Sequence, residues 1–206
     1  MPVAVIRPPR GLAMAAQILI VAAAVLHAAD TVGEWRTGWP AVFGALDYLV
    51  LFVAAGVFIA WLHQAWANAA VIAAPRPMPW SPGWTIGSWF IPAANFVLPF
   101  MVVLSVVDAS AGWRTSSRRF VALWWLLFLL AEVIGRVPPI TFFHREYAGQ
   151  LVVSSEVRSY SLHSELPLWL VMTAVEAVAA TLAVLLVRRV TDTQTAAALA
   201  RAGVTP

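Results

Sequence analysis

Gly83-Trp84-Thr85-Ile86-Gly87-Ser88-Trp89-Phe90-Ile91-Pro92-Ala93-Ala94-Asn95-Phe96-Val97-Leu98-Pro99 decides how this chain is threaded. The stretch is apolar enough to enter a bilayer, yet two prolines interrupt it. Four more, Pro75, Pro77, Pro79 and Pro82, crowd the linker before it. Proline has no backbone donor and pushes the residue before it out of helical geometry. A continuous helix through this region is therefore excluded. A fresh helix is expected to begin near Asn95, a favoured N-cap type, and to run to about Ser110. Irregular backbone at membrane depth survives only under a cover of protein or water. The segment 84–110 is thus expected to be re-entrant or interfacial, with crossing helices packed over it.

The rest of the chain supplies those helices. Of 206 residues, 61% are apolar and 11% charged, against about 45–50% and about 25% in ordinary soluble domains. A soluble globule of this composition would expose large apolar patches, and a disordered chain would be far more polar. The fold class expected is all-α, a polytopic helical membrane protein with four crossing helices plus the proline-broken segment. The spans fall at about 11–29, 43–66, 120–137 and 167–187, within one membrane domain, 11–190. Residues 1–10 are expected to form a cytoplasmic N-terminus, 138–166 an external loop, and 191–206 a cytoplasmic tail. Arg7 and Arg10 ahead of an apolar stretch also suit a signal peptide. The stretch is long for one, and His27 occupies the place that wants a small residue before a cut after Ala29, so the first span is expected to be retained. Gly56 and Ala60 are a small-xxx-small pair at which another helix could approach closely.

Arginine placement selects the topology. All 13 basic residues are arginine, which points to the codon bias of a GC-rich bacterium. Cytoplasmic loops carry the excess of basic residues. If 84–110 crossed, the two sides would hold 5 and 7 arginines; if it returns, they hold 9 and 3, with Arg136 inside a span left out. The returning arrangement puts both termini in the cytoplasm of a multi-pass plasma-membrane protein.

Segment 61–110 resembles the signature region of a bacterial membrane family known as domain-of-unknown-function family 4328. The matching residues are Trp61 with Trp66-Ala67-Asn68-Ala69, then Ser81-Pro82-Gly83-Trp84, then Trp89-Phe90-Ile91-Pro92, Asn95 and Pro99, then Ala109-Ser110. Trp124-Trp125, Arg188-Arg189 and Gln194 are weaker echoes. Similar proteins tend to carry polar residues after the second proline. Here 101–107 is apolar except for Ser105, which favours the re-entrant form. The resemblance implies fold and membrane location and no mechanism.

Charges inside spans face the bundle interior by default, because each costs roughly 2.5–3.5 kcal/mol at the bilayer centre. The candidates are His27, Asp30, Asp47, Glu132, Arg136 and Glu176. Glu132 and Arg136, four apart, share a helical face. Asp47, His27 and Asp30 fall in the outer half and Glu176 at mid-depth. One outward-open polar cluster organised around Arg136 is expected. Glu176 reads either as a protonated carboxyl bonding a neighbouring helix or as a proton or cation site. Trp84, Trp89 and Phe90 read as membrane anchors, and Asn95 as either a structural wedge or part of a solute site.

With no cysteine, thiolate metal sites and thiol nucleophiles are excluded. No zinc, nucleophile-turn or phosphate-loop motif occurs, so no catalysis, metal or cofactor is expected. His144 and His163 alone do not fix a metal geometry. No basic run or reader motif points to nucleic acid. The expected partners are the lipid bilayer and either a second copy or another membrane protein. The expected role is structural or interactive; transport of a small solute, ion or proton through the broken segment and the buried acids is the alternative.

Overall fold

The computed structural model describes residues 6–37, 41–113, 117–135 and 162–203, and the side chains of 34–37, 41–43, 133–135 and 162–169 are outside that description. Every regular element among the described residues is helical: α1 (Arg10–Thr37), α2 (Ala41–Ala73), α3 (Trp84–Gly87), a 3-10 turn at Ala94–Phe96, α4 (Leu98–Ser110), α5 (Arg118–Gly135) and α6 (Leu162–Arg201). Three stretches, Arg10–Gly33, Gly44–Ala73 and Leu170–Arg201, are long and apolar enough to cross a membrane. α5 has 18 residues, about 27 Å of helix. It packs along α6 with its first turn beside Arg189, twelve residues before the end of that helix; the Arg189 guanidinium lies over the Phe120 ring at 4.5 Å.

α1 packs against both α2 and α6, and α4 fits against α2. The close faces are lined by alanine. Ala13, Ala16 and Ala23 of α1, Ala65, Ala69 and Ala73 of α2, and Ala179 and Ala183 of α6 are all buried. Lipid tails are as apolar as leucine, so helices in a bilayer gain by close backbone approach, which small residues permit. Gly56, the expected contact point, takes no part in this. It faces outward with nothing within 4 Å of where its Cβ would stand.

The segment 84–110 is broken and comes back to the end it left. Arg76, just after α2, lies over the ring of Trp113, just after α4, at 4.2 Å. Between them the chain climbs only part of the bundle. Trp89 meets Phe58 edge-on at 6.0 Å and Trp125 at 5.8 Å. Phe58 is ten residues before Asn68 on α2, so the tip stands about 15 Å up the helix, half of a hydrocarbon core about 30 Å thick. α4, with 13 residues, descends about 20 Å.

Indole donors satisfy carbonyls that the break leaves outside a regular ladder. Trp66 Nε1–H donates to Trp80 O at 3.0 Å, Trp89 Nε1–H to Thr85 O at 3.0 Å, and Trp125 Nε1–H to Phe96 O at 2.8 Å. Trp89 is therefore packed inside, not an anchor at the headgroups; Phe90, 72% exposed, faces outward. Asn95 does not cap α4. Val97 holds that place and Pro99 stands in the first turn, where its missing donor costs nothing.

The end at which α2 and α6 finish is locked by amides. Gln194, fully buried, donates to Ala65 O at 2.8 Å and to Ser110 Oγ at 2.9 Å. Its Oε1 accepts from Asn68 Nδ2 at 3.0 Å. Asn68 also accepts from Arg7 N and donates to Arg7 O, both at 2.9 Å. One network thus joins the start of α1, the ends of α2 and α4, and α6. The expected tail is no tail: α6 runs on to Arg201, and Thr191 and Gln194 are buried. Likewise α1 continues past residue 29, where the first span was expected to end, to Thr37.

Trp125→Phe keeps the ring and removes the donor to Phe96 O. A buried acceptor left unmade costs about 1–3 kcal/mol. We expect a clear fall in melting temperature in detergent, while Leu126→Ala on the lipid-facing side of α5 leaves it within the error of the measurement.

Candidate functional site

His27, Asp47 and Glu176 come from α1, α2 and α6. They stand in the half of the bundle away from the arginine-bearing ends, His27 lying 17 residues past Arg10 on α1 and Glu176 lying 25 residues before Arg201 on α6. His27 Nδ1 lies 3.0 Å from Asp47 Oδ2, and His27 Nε2 lies 3.1 Å from Glu176 Oε2. The side chains of His27, Asp47 and Glu176 are 13%, 4% and 14% exposed. The turn after His27 is tightened by Thr31, whose hydroxyl donates to His27 O at 2.9 Å. Asp30, one turn above His27, is half-buried and reaches toward α2, with its Oδ2 3.7 Å from where a Gly44 Cβ would stand. Glycine at 44 leaves room for that carboxylate between α1 and α2.

The donor arithmetic of this site is strict. Ionised carboxylates only accept hydrogen bonds, and a neutral imidazole has one N–H. Bonding both ring nitrogens to two carboxyl groups therefore requires one proton more than neutral histidine with two carboxylates provides. Either the ring is imidazolium or one of the acids is protonated. The assembled set is a clasp of three helices with a proton in it.

His27, Asp47 and Glu176 of the expected cluster meet around the His27 ring; Arg136, about which the cluster was expected to be organised, lies outside the described residues together with 138–161 of the expected external loop, and residues 162–166 belong to α6. Glu132 is half-buried on α5, the helix that packs against α6 and α4. Glu176 stands twelve residues before Arg188 on α6, about 18 Å of helix, and α6 itself runs on past the expected end at 187 to Arg201.

Two arrangements follow from the distances. The two ring nitrogens of His27 point in opposite directions, so the three side chains do not converge on one point, and no group of three metal-ligating side chains is found among the described residues. The clasp is also remote from the broken segment. Asp47 precedes Phe58 by eleven residues on α2, about 16 Å of helix. Along the broken segment, Pro99 and Ser88 are buried, Trp84 and Trp89 half-buried, and Pro92 exposed. Asn95 Oδ1 and Ser88 Oγ are buried atoms with no hydrogen-bond partner among the described residues. His63 is held at the base, with Nδ1 2.9 Å from Thr85 Oγ1. Since Thr85 donates its own proton to Pro82 O at 2.7 Å, His63 is the donor, through Nδ1–H.

The amide network of Asn68, Ser110 and Gln194 escaped sequence reading. The available signal was an amide at the end of each of two long apolar stretches, on helices that both finish at the same end.

Removing one member of a buried ionic set leaves the others uncompensated, typically at about 3–5 kcal/mol. We expect His27→Ala to destabilise by an amount of that order, measured by melting or by resistance to proteolysis in detergent. Glu176→Gln keeps an acceptor for the ring and should cost far less.

A family model described as Domain of unknown function (DUF4328) matches residues 21–192. No curated protein and no solved structure matches the chain.

Proposed function

The chain belongs to that family, and we propose that it is a non-catalytic integral membrane protein whose role is structural or interactive. The observation that carries this reading is the use to which the buried polar groups are put. Both nitrogens of His27 are taken up in joining α1 to α2 and α6. Asn68, Ser110 and Gln194 are likewise engaged in joining helices. A transport site built from the broken segment and the buried acids would need those two features side by side, and they stand about 16 Å apart along α2.

The same reading includes an orientation. Arg7, Arg10, Arg76, Arg118, Arg119, Arg188, Arg189 and Arg201 gather at one end of the bundle. The acids Asp30, Asp47 and Glu176 lie toward the other. The excess of arginine supports placing the first end in the cytoplasm of a bacterial plasma membrane, with four crossings. The lipid bilayer and a second copy or another membrane protein are the partners.

Purified protein in proteoliposomes loaded with a pH-sensitive dye is expected to leak protons no faster than empty vesicles, with Glu176→Gln indistinguishable. A wild-type flux abolished by Glu176→Gln would make this a transporter. For orientation, the cysteine-free chain accepts single cysteines at Thr115, Ser155 and Thr195. A membrane-impermeant maleimide applied to intact cells should label only the cysteine at 155; labelling at 115 or 195 overturns the orientation.

A further inference from the structure

We propose that the groove between α1 and α6 at the arginine end seats one anionic phospholipid of the adjoining leaflet. This inference stands apart from the role of the His27 clasp. The groove, about 380 Å³, lies between Arg10, Met14 and Gln17 of α1 and Arg188, Asp192 and Thr195 of α6. It exists because the two helices meet through small residues. Ala13 and Thr191 are buried at its floor, so the long arginines form walls and not contents.

Charge and shape select the occupant together. Two guanidinium groups face one carboxylate, so the mouth carries a net positive charge. Asp192 is held on its own helix by Arg188, with Arg188 Nε 3.7 Å from Asp192 Oδ2 in an exposed pair. Gln17 is turned back by donating to Ala13 O at 3.1 Å. The mouth thus suits a phosphate, whose oxygens accept from arginine forks. Basic pockets between helices on the cytoplasmic side are where anionic headgroups bind.

A soluble anion would need only the mouth. The groove has more, because it opens onto an apolar strip of α1. Met14, Ile18, Val21 and Val25 recur at the spacing of one helical face and are between 50% and 64% exposed. From Met14 to Val25 is eleven residues, about 16 Å of helix, which matches one leaflet of a hydrocarbon core about 30 Å thick. A phosphate at Arg10 and Arg188 would leave its acyl chain lying along that strip. The adjacent strip and basic mouth are what a phospholipid presents in reverse, a charged head joined to a chain of leaflet length.

The test uses native mass spectrometry of the full chain released from micelles, titrated with phosphatidylglycerol or with phosphatidylcholine of the same chains. Wild type is expected to retain one phosphatidylglycerol in preference to phosphatidylcholine. Each neutralised arginine is worth about a factor of five. The double variant Arg10→Gln/Arg188→Gln should therefore bind roughly twenty-five-fold more weakly. Arg119→Gln, at the same end but outside the groove, should bind as wild type does. All these arginines are exposed, and melting without added lipid verifies that the variants fold. Equal retention of the two lipids by wild type, unchanged retention by the double variant, or an equal loss in Arg119→Gln would overturn the proposal. Displacement of phosphatidylglycerol by inorganic phosphate at the same concentration would also overturn it, by showing that the chain contributes nothing.

Discussion

A backbone that breaks inside a bilayer must find partners for its own carbonyls, because water is not there to supply them. This chain meets that constraint with tryptophan. The indole has a single donor and no acceptor, so it can satisfy a stray carbonyl without creating a new need. It also brings a large apolar body that packs where it reaches. Trp66, Trp89 and Trp125 each do both. A serine or an asparagine in the same places would bring an acceptor of its own to be satisfied. The aromatic cluster of Phe58, Trp61, Trp89, Trp124, Trp125 and Phe128 is the apolar side of the same arrangement. It fills the space between α2, α5 and the broken segment, and thereby fixes how high that segment climbs.

Everything about charge placement follows from the return of that segment. A helix pair joined by a crossing segment would put the starts of α1 and α5 at opposite ends. A segment that returns puts them at the same end, with the ends of α2 and α6. The Arg76–Trp113 stacking closes the two feet of the segment on each other, and Asp108 accepts from the Ser117 amide at 3.0 Å to start α5 close by. The arginines then collect where α1 begins and α6 finishes, and the intramembrane acids are left to the opposite half. The separation is a product of threading, and no ion pair between the two halves is needed to maintain it.

The break itself was legible, because proline acts through covalent geometry and no tertiary contact can restore its missing donor. The ends of the helices were not. Hydropathy stops at Arg188-Arg189, but α6 continues through Thr191 and Gln194 because those polar groups have partners on α2 and α4. A polar residue marks a helix end only if water is its best partner. Asn95 misled for a related reason: an N-cap preference is local, and the position that begins α4 was set instead by Pro99 and by the Phe96 carbonyl held by Trp125. The acids and His27 were visible as misplaced charges. Which of them would meet was not, since that depends on the rotation of three helices about their axes.

That geometry gives the two halves of the bundle different kinds of cohesion. At the arginine end, alanine faces bring backbones close and the amides of Asn68 and Gln194 are satisfied from several segments at once, so no change of protonation alters the bonds. At the other end three helices are joined through one ring, and the count of hydrogen bonds there depends on a proton. Take the proton away, and neutral His27 can donate to Asp47 or to Glu176 but not to both; one of the two carboxylates then loses its hydrogen bond to the ring. Buried polar groups of this kind add little to stability over a packed apolar contact, so strength alone does not account for the choice of residues. What the ring supplies is a joint with two occupied directions and one exchangeable proton, set one turn from the buried Ala23 and Ala179 of the same helices.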